Sequence, residues 1–360
     1  MKSKFIVACA GSGKTTTIIN SVLSSKSSKK ILITTFTDEN CDEIRRKFVF
    51  QKGFVPSNVD IIPWFTFEIK HLIKPYLHPM IGNTFNGVDF VSNKSVPYTS
   101  QTEKKHYIST NNKIYSDKIA LLAYNTILRE QNVLKRLSAI YDEIFVDEFQ
   151  DFAGYDLEIV KHLMGNGFKM LIVGDPRQKT YLTHFSVKNK KYNDDKESYI
   201  TKECASLCDI DYTTLNCSFR CPESIISYAS TIFKEYPVSH SNVTPNDTDG
   251  IYLVSATKIK DFLENENAVI QLRYDSRTKV NTSKKILTYG KSKGATYENV
   301  LVYPTINIKN ALLNDDFSKI TSRIILSKLY VALTRAKHKV GIVISDGDIK
   351  KNKNSNLRIW

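Results

Sequence analysis

Residues 4–17 read KFIVACAGSGKTTT. An apolar, β-rich run ends in a glycine-bearing loop, and the loop opens an apolar-periodic helix. The pattern is G-x-x-x-x-G-K-[ST], with Ala8 at its first position, a small residue that fits the same turn. Ala10, Gly11, Ser12 and Gly13 form the loop, and the two glycines let backbone N–H groups approach phosphate oxygens. Lys14 is placed for the β- and γ-phosphates. Thr15 offers a hydroxyl to Mg²⁺, and Thr16 continues the helix whose N-terminus adds partial positive charge. Strand, loop and helix in this order point to an α/β phosphate-binding fold.

A phosphate site needs a carboxylate on a second strand to hold the cation. Residues 144–151, IFVDEFQD, supply one. Asp147 ends an apolar strand and is the expected metal ligand. Glu148 beside it is the expected base for an attacking water. Without the loop at 8–15 the same acids would read as the polar end of an ordinary strand.

Further β-rich runs occur at 31–36, 170–175, 213–219, 251–256, 268–273, 286–290, 299–303 and 340–345. They are continuous rather than alternating, as in strands buried on both faces of a parallel sheet. Helical stretches between them, at 38–50, 155–165, 222–234 and 322–336, make an α/β architecture that occurs twice. The expected division is a first domain over 1–74 and 136–220, a mostly helical insertion over 75–135, and a second domain over 221–360. Residues 184–212 read as a polar loop excursion, 239–250 as a linker between the halves, and the basic tail as mobile apart from Trp360.

Composition narrows the class. The 360 residues carry 51 Lys and Arg against 37 Asp and Glu, a formal charge of +14. That balance favours a polyanionic partner. No segment approaches the ~20 apolar residues of a membrane span, and the first strand begins without a leader, so a cytoplasmic protein is expected. The six cysteines include two C-x3-C spacings, 204/208 and 217/221. With His240 as the sole nearby histidine downstream, they read as reduced thiols rather than a zinc site.

Seven motifs in order resemble the UvrD/Rep/PcrA branch of superfamily 1 DNA helicases. AGSGKTT is similar to motif I, TTFTDENCDEIRRKF (34–48) to the TFTNKAA motif Ia, and VDEFQD to motif II. VGDPRQKTY (173–181), LNCSFRCP (215–222), ILTYGKSKGATYENVLVY (286–303) and LYVALTRAKHKVGIVI (329–344) are similar to motifs III to VI. The resemblance implies two RecA-like halves, ATP and Mg²⁺ as cofactors, and single-stranded DNA as partner. It implies that Gln178 senses the γ-phosphate, that Arg220 and Arg335 act as arginine fingers, and that Phe219 stacks on the adenine. Gln150 would join the sensing network, and Lys293 and Gly294 match the A-K-G of motif V. Thr35, Phe36 and Thr37, together with Trp64 and Thr66 of PWFTF (63–67) and Tyr181 of motif III, would meet the strand. Phe65 and Phe67 read as core.

The chain also departs from that pattern. No glutamine motif precedes the first strand, which leaves the base of the nucleotide open. Thr183 and His184 stand where motif III has further aromatic and arginine residues. Gly290 and Thr296 replace a histidine and a glutamate in motif V. The stretch between motifs IV and V is too short for the family's large accessory domain. The expected activity is therefore DNA-dependent ATP hydrolysis with 3′-to-5′ movement. The alternative is a nucleotide-dependent switch that controls a partner protein, such as a nuclease in an antiphage defence system.

Overall fold

The computed structural model describes residues 2–77, 81–82, 84–180, 186–282 and 284–360. The chain divides into two compact units. One comprises Met1–Ile6, Lys14–Gly174 and Leu182–Asp211, and the other Val7–Gly13, Asp175–Tyr181 and Tyr212–Trp360.

The first unit contains strands β1 (Ser3–Val7), β2 (Ile31–Thr35), β3 (Val59–Pro63), β4 (Val88–Asp89), β5 (Ile114–Tyr115), β6 (Glu143–Val146), β7 (Lys169–Gly174) and β8 (Cys208–Asp211). Six of them form one sheet in the order β3-β2-β6-β7-β1-β8, while β4 and β5 pair separately. Every residue of β2 and β6 is buried, as expected for central strands of a sheet covered on both faces. The helices are α1 (Lys14–Ser24), α2 (Asp38–Lys52), α3 (Trp64–Phe67), α4 (Ile119–Arg129), α5 (Asn132–Ser138), α6 (Tyr155–Gly165) and α7 (Lys196–Glu203). A π-helical turn, Glu68–Ile73, extends α3. Thr37 caps α2 by accepting a hydrogen bond from the Asn40 N–H, and Gly53 closes it in the left-handed conformation.

The second unit contains β9 (Cys217–Ser218), β10 (His240–Ser241), β11 (Gly250–Ser255), β12 (Val269–Arg273), β13 (Ile286–Thr288), β14 (Tyr297–Tyr303), β15 (Ala336–Ile344) and β16 (Arg358–Ile359). Its sheet runs β13-β12-β14-β15-β11-β16, parallel throughout. Helices α8 (Glu223–Ser230), α9 (Ile259–Asn265), α10 (Ile306–Asn314), α11 (Arg323–Leu333) and α12 (Asp346–Ile349) connect the strands. Two parallel six-stranded sheets are the α/β class expected of two RecA-like halves.

Several local expectations change. The edge strands β3 and β8 escaped the sequence reading because proline in VDIIP and aspartates in CDID break the apolar runs. Residues 184–212 are not merely a loop excursion, since they include α7, which buries Tyr199 and Ile200, and β8. Only 217–218 of the run 213–219 is strand. Residues 239–250 lie inside the second unit, with β10 paired to β9. The tail is built into the sheet. Its β16 pairs with β11, and the Trp360 ring lies edge-on to Phe262 at 5.2 Å. Helix in 75–135 is concentrated from residue 119 onward, and this segment does not separate as a unit of its own.

Candidate nucleotide site

In the first unit, Lys14 and Thr15 are the first residues of α1. The Thr15 hydroxyl donates to Asp147 Oδ2 at 3.0 Å. Asp147 directly follows β6, and its N–H donates to the Thr34 carbonyl at 2.9 Å, so strand pairing sets its position. The side chain is buried. Burial and the Glu148 charge push its carboxyl up to about 6, while Lys14 and the Thr15 hydroxyl act in the opposite sense. A nearby cation would favour the carboxylate.

Glu148 occupies the left-handed region, φ 56° and ψ 40°. A non-glycine residue there costs on the order of 1–3 kcal/mol and persists only where its surroundings over-determine it. Those surroundings are visible. Asp147 Oδ1 accepts the Glu148 N–H at 2.9 Å, Gln150 Nε2 donates to Glu148 Oε2, and Lys14 Nζ lies 3.9 Å from Oε1. Gly174, at the end of β7, makes room for this turn. A Cβ there would fall 2.9 Å from Gln150 Oε1 and 3.2 Å from the backbone nitrogens of Phe149 and Gln150.

In the second unit, Gly11 and Gly13 have φ of 75° and 83°. A Cβ on Gly11 would lie 2.6 Å from Arg220 Cβ and 2.7 Å from Ser218 Oγ, so this position needs glycine for space as well as for conformation. The Phe219 N–H donates to the Gly11 carbonyl at 2.9 Å, while the Phe219 ring is 65% exposed. Ser12 turns its hydroxyl inward to the Cys9 carbonyl. Gly294 is left-handed, with open space where its Cβ would be.

Arg335 is 1% exposed. Its Nε donates to the Val331 carbonyl at 3.1 Å, Nη1 to the Ala295 carbonyl at 3.2 Å, and Nη2 to Gln178 Oε1 at 3.2 Å. Gln178 Nε2 donates in turn to Asp175 Oδ2 at 2.7 Å. Arg220 is half-buried and donates to the Thr334 carbonyl at 3.2 Å. Motifs III, IV and VI thus meet in one unit.

Two residues of this network were not singled out from the sequence. Arg177 joins Asp175 Oδ1 at 2.9 Å, Ser239 Oγ at 3.1 Å and the Ala8 carbonyl at 2.8 Å. Its guanidinium stacks on Tyr330 and Tyr236, and the Asp175 charge holds it protonated despite burial. The Tyr330 hydroxyl accepts the Ala10 N–H at 3.1 Å. Both lie inside quoted motifs, but an arginine in GDPRQ reads as a surface charge until the fold encloses it.

The residues expected on a nucleic-acid strand divide. Phe36 and Thr66 are partly exposed, and Thr37 is spent on the α2 cap. Thr35 is fully buried, its hydroxyl accepting from Asn40 Nδ2. Trp64 is 2% exposed. It packs on Phe67 and Phe152 and donates its indole N–H to Asp156 at 3.0 Å. This geometry makes Trp64 a core residue instead of a stacking platform, because burying its ring and satisfying its one donor outweigh exposure. Tyr181, Thr183 and His184 lie outside the described residues.

The donor set suits Mg²⁺ and a nucleotide. One carboxylate and one hydroxyl, both hard oxygens, are what Mg²⁺ takes from protein when phosphates supply the rest. No cluster of three or more His, Cys, Asp or Glu able to hold a metal occurs among the described residues. No helix among them is long and apolar enough to cross a membrane.

The profile of the UvrD/REP helicase N-terminal domain matches residues 2–85 and 92–193, more than half of the chain. An ATP-dependent helicase/nuclease component from Carboxydothermus hydrogenoformans is 30% identical over 106 residues, 29% of this chain and 8% of that protein. Two solved structures are similar. Arterivirus nonstructural protein 10 (helicase) has 14% identity and a TM-score of 0.48, covering 98% of this chain and 62% of that one. Its complex with DNA has 15% identity and a TM-score of 0.48, covering 95% and 60%. The chain therefore spans a small part of the curated relative and about three-fifths of the solved ones.

Proposed function

Because the chain belongs to the UvrD/REP helicase family, we propose that it is a superfamily 1 motor that hydrolyses ATP and moves 3′ to 5′ on single-stranded DNA. The observation that carries this reading is the pairing of Thr15 with Asp147 beside Lys14 and a conformationally held Glu148. Bound Mg-ATP would supply the phosphoryl group and the charge that the site must balance. Lys14 and the amides of the 10–15 loop hold the phosphates, and Thr15 and Asp147 hold the cation. Glu148 orients the water and takes its proton, with Gln150 fixing the carboxylate. Arg220 and Arg335 neutralise charge on the transferring group. Gln178, bonded to both Arg335 and Asp175, is suited to relay the phosphate's presence. Phe219 offers an exposed ring to the base.

Phe36, Thr37 and Thr66 are the proposed contacts to the strand, and the net charge of +14 favours its phosphates. The direction of movement rests on family resemblance.

The test is ATP hydrolysis with and without mixed-sequence single-stranded DNA, with Glu148→Gln as the blank. Strong stimulation by DNA, lost in the variant while nucleotide binding persists, supports the motor. Hydrolysis indifferent to DNA and RNA would sink it and favour a switch acting on a partner protein. Near-normal turnover by Glu148→Gln would remove Glu148 as the base.

A further inference from the structure

The first unit holds a cavity of about 340 Å³ beside α3 and its π-helical turn. Phe36, Trp64, Phe65 and Phe90 line it with rings. Phe90 is 77% exposed and leans edge-on against Phe65 at 6.5 Å. An aromatic left out in solvent at the mouth of a cavity signals an occupant.

The ionisable lining is entirely acidic, in a chain whose net charge is +14. Asp38 and Glu39 stand at the mouth, on the first turn of α2. The TFTNKAA pattern has asparagine and lysine there, so this chain has exchanged a phosphate-friendly edge for a repelling one. Asp117 is already served by Lys118 at 3.1 Å and by Ser95. The floor is different. Glu68 is 2% exposed, and its Oε1 has no hydrogen-bond partner. Asp156 beside it accepts from the Trp64 indole at 3.0 Å and from the Ala153 N–H at 3.2 Å. Burial and the Asp156 charge hold the Glu68 carboxyl well above the usual range. The pair thus bears one negative charge and keeps an unused acceptor. Burying two acids this way is costly unless something compensates.

We propose that this aromatic-walled, acid-floored cavity receives a basic side chain, arginine or lysine, from a partner protein. Ring faces attract a cation within about 6 Å. Val91, Ile119 and Ala120, also in the lining, suit its aliphatic stem. Glu68 and Asp156 supply the counter-charge. The acidic mouth disfavours a nucleotide, whose phosphate it would repel. This site is separate from the ATP-binding residues and does not rest on the motor reading.

Tryptophan emission tests it directly. The chain has two tryptophans, so Trp360→Phe leaves Trp64 in the cavity as the sole reporter. The probe is N-acetylarginine amide, with sodium chloride at matched ionic strength and cytidine as controls. A saturable change with the arginine amide is expected, weakened about tenfold by Glu68→Gln and by Phe90→Ala. Phe90 is exposed, so its variant keeps the test valid even if Glu68→Gln fails to fold. No response beyond that of salt, or variants that bind like the parent, would overturn the proposal. Saturation by cytidine instead would make the cavity a nucleobase pocket and overturn it equally.

Discussion

Arg335 shows how residue-scale chemistry sets function here. Its guanidinium is almost fully enclosed, yet three of its nitrogens have acceptors and one is Gln178. A buried cation held this way is pre-organised to meet developing negative charge without reorganising. Arg335→Ala is expected to cut turnover on the order of 10³-fold, measured as kcat at saturating ATP, with ATP affinity far less affected. A loss below tenfold would count against the role. At this scale the chemistry was legible in the sequence for Lys14, Thr15, Asp147 and Glu148, since residue type and spacing define a phosphate cradle. It was not legible for Trp64 or Thr35. Each sits in a motif that suggests contact with a strand, but whether a ring faces solvent or core depends on neighbours such as Phe152 and Asp156, far away in the chain.

At the scale of elements, the π-helical turn Glu68–Ile73 carries a pH sensitivity. His71 is buried, facing Tyr141 and Phe67. Burial, with Lys70 and Arg136 nearby and Asp60 opposing, pushes its imidazole down to about 4 from an ordinary 6.5. The folded state therefore resists a proton that the unfolded chain accepts. Stability from this group is fully present above about pH 6.5 and is lost as pH falls towards 4. Thermal melts of the parent should drop more steeply between pH 7 and 4.5 than those of His71→Gln. Equal slopes would show that other groups dominate.

The last strand gives a second test at this scale. Leu357 and Asn354 are buried, and Asn354 Nδ2 reaches Tyr228, Leu312 and Asp315. Deleting residues 356–360 should destabilise the second unit by about 2–4 kcal/mol, since it removes a buried leucine and the ring packed on Phe262. Urea unfolding would measure it, and an unchanged midpoint would mean that β16 contributes nothing.

For the whole molecule, the charge of +14 should appear as salt dependence. Binding to single-stranded DNA should weaken linearly on a log–log plot against salt, with a slope of roughly −0.7 per phosphate neutralised. A flat response in filter binding or anisotropy would turn attention from nucleic acid to protein partners. The acid-lined cavity is the local exception to that charge, and whole-chain composition gave no hint of it.

By itself, the sequence determined the α/β class, both sets of central strands and the order of the motifs. Those features are encoded locally, in continuous apolar runs, helix caps and a glycine loop whose conformations depend on nearest neighbours. Tertiary structure alone decided the rest. Edge strands β3, β8 and β16 are short and polar, and exist because a sheet offers them hydrogen bonds. Arg177 became a buried hub because Asp175, Ala8 and Ser239, distant in sequence, close around it. The same is true of Glu68, an ordinary helical glutamate until folding sets it against Asp156 beneath a ring of aromatics. Burial and long-range pairing are sums over contacts between remote residues, and a linear reading holds no term for them.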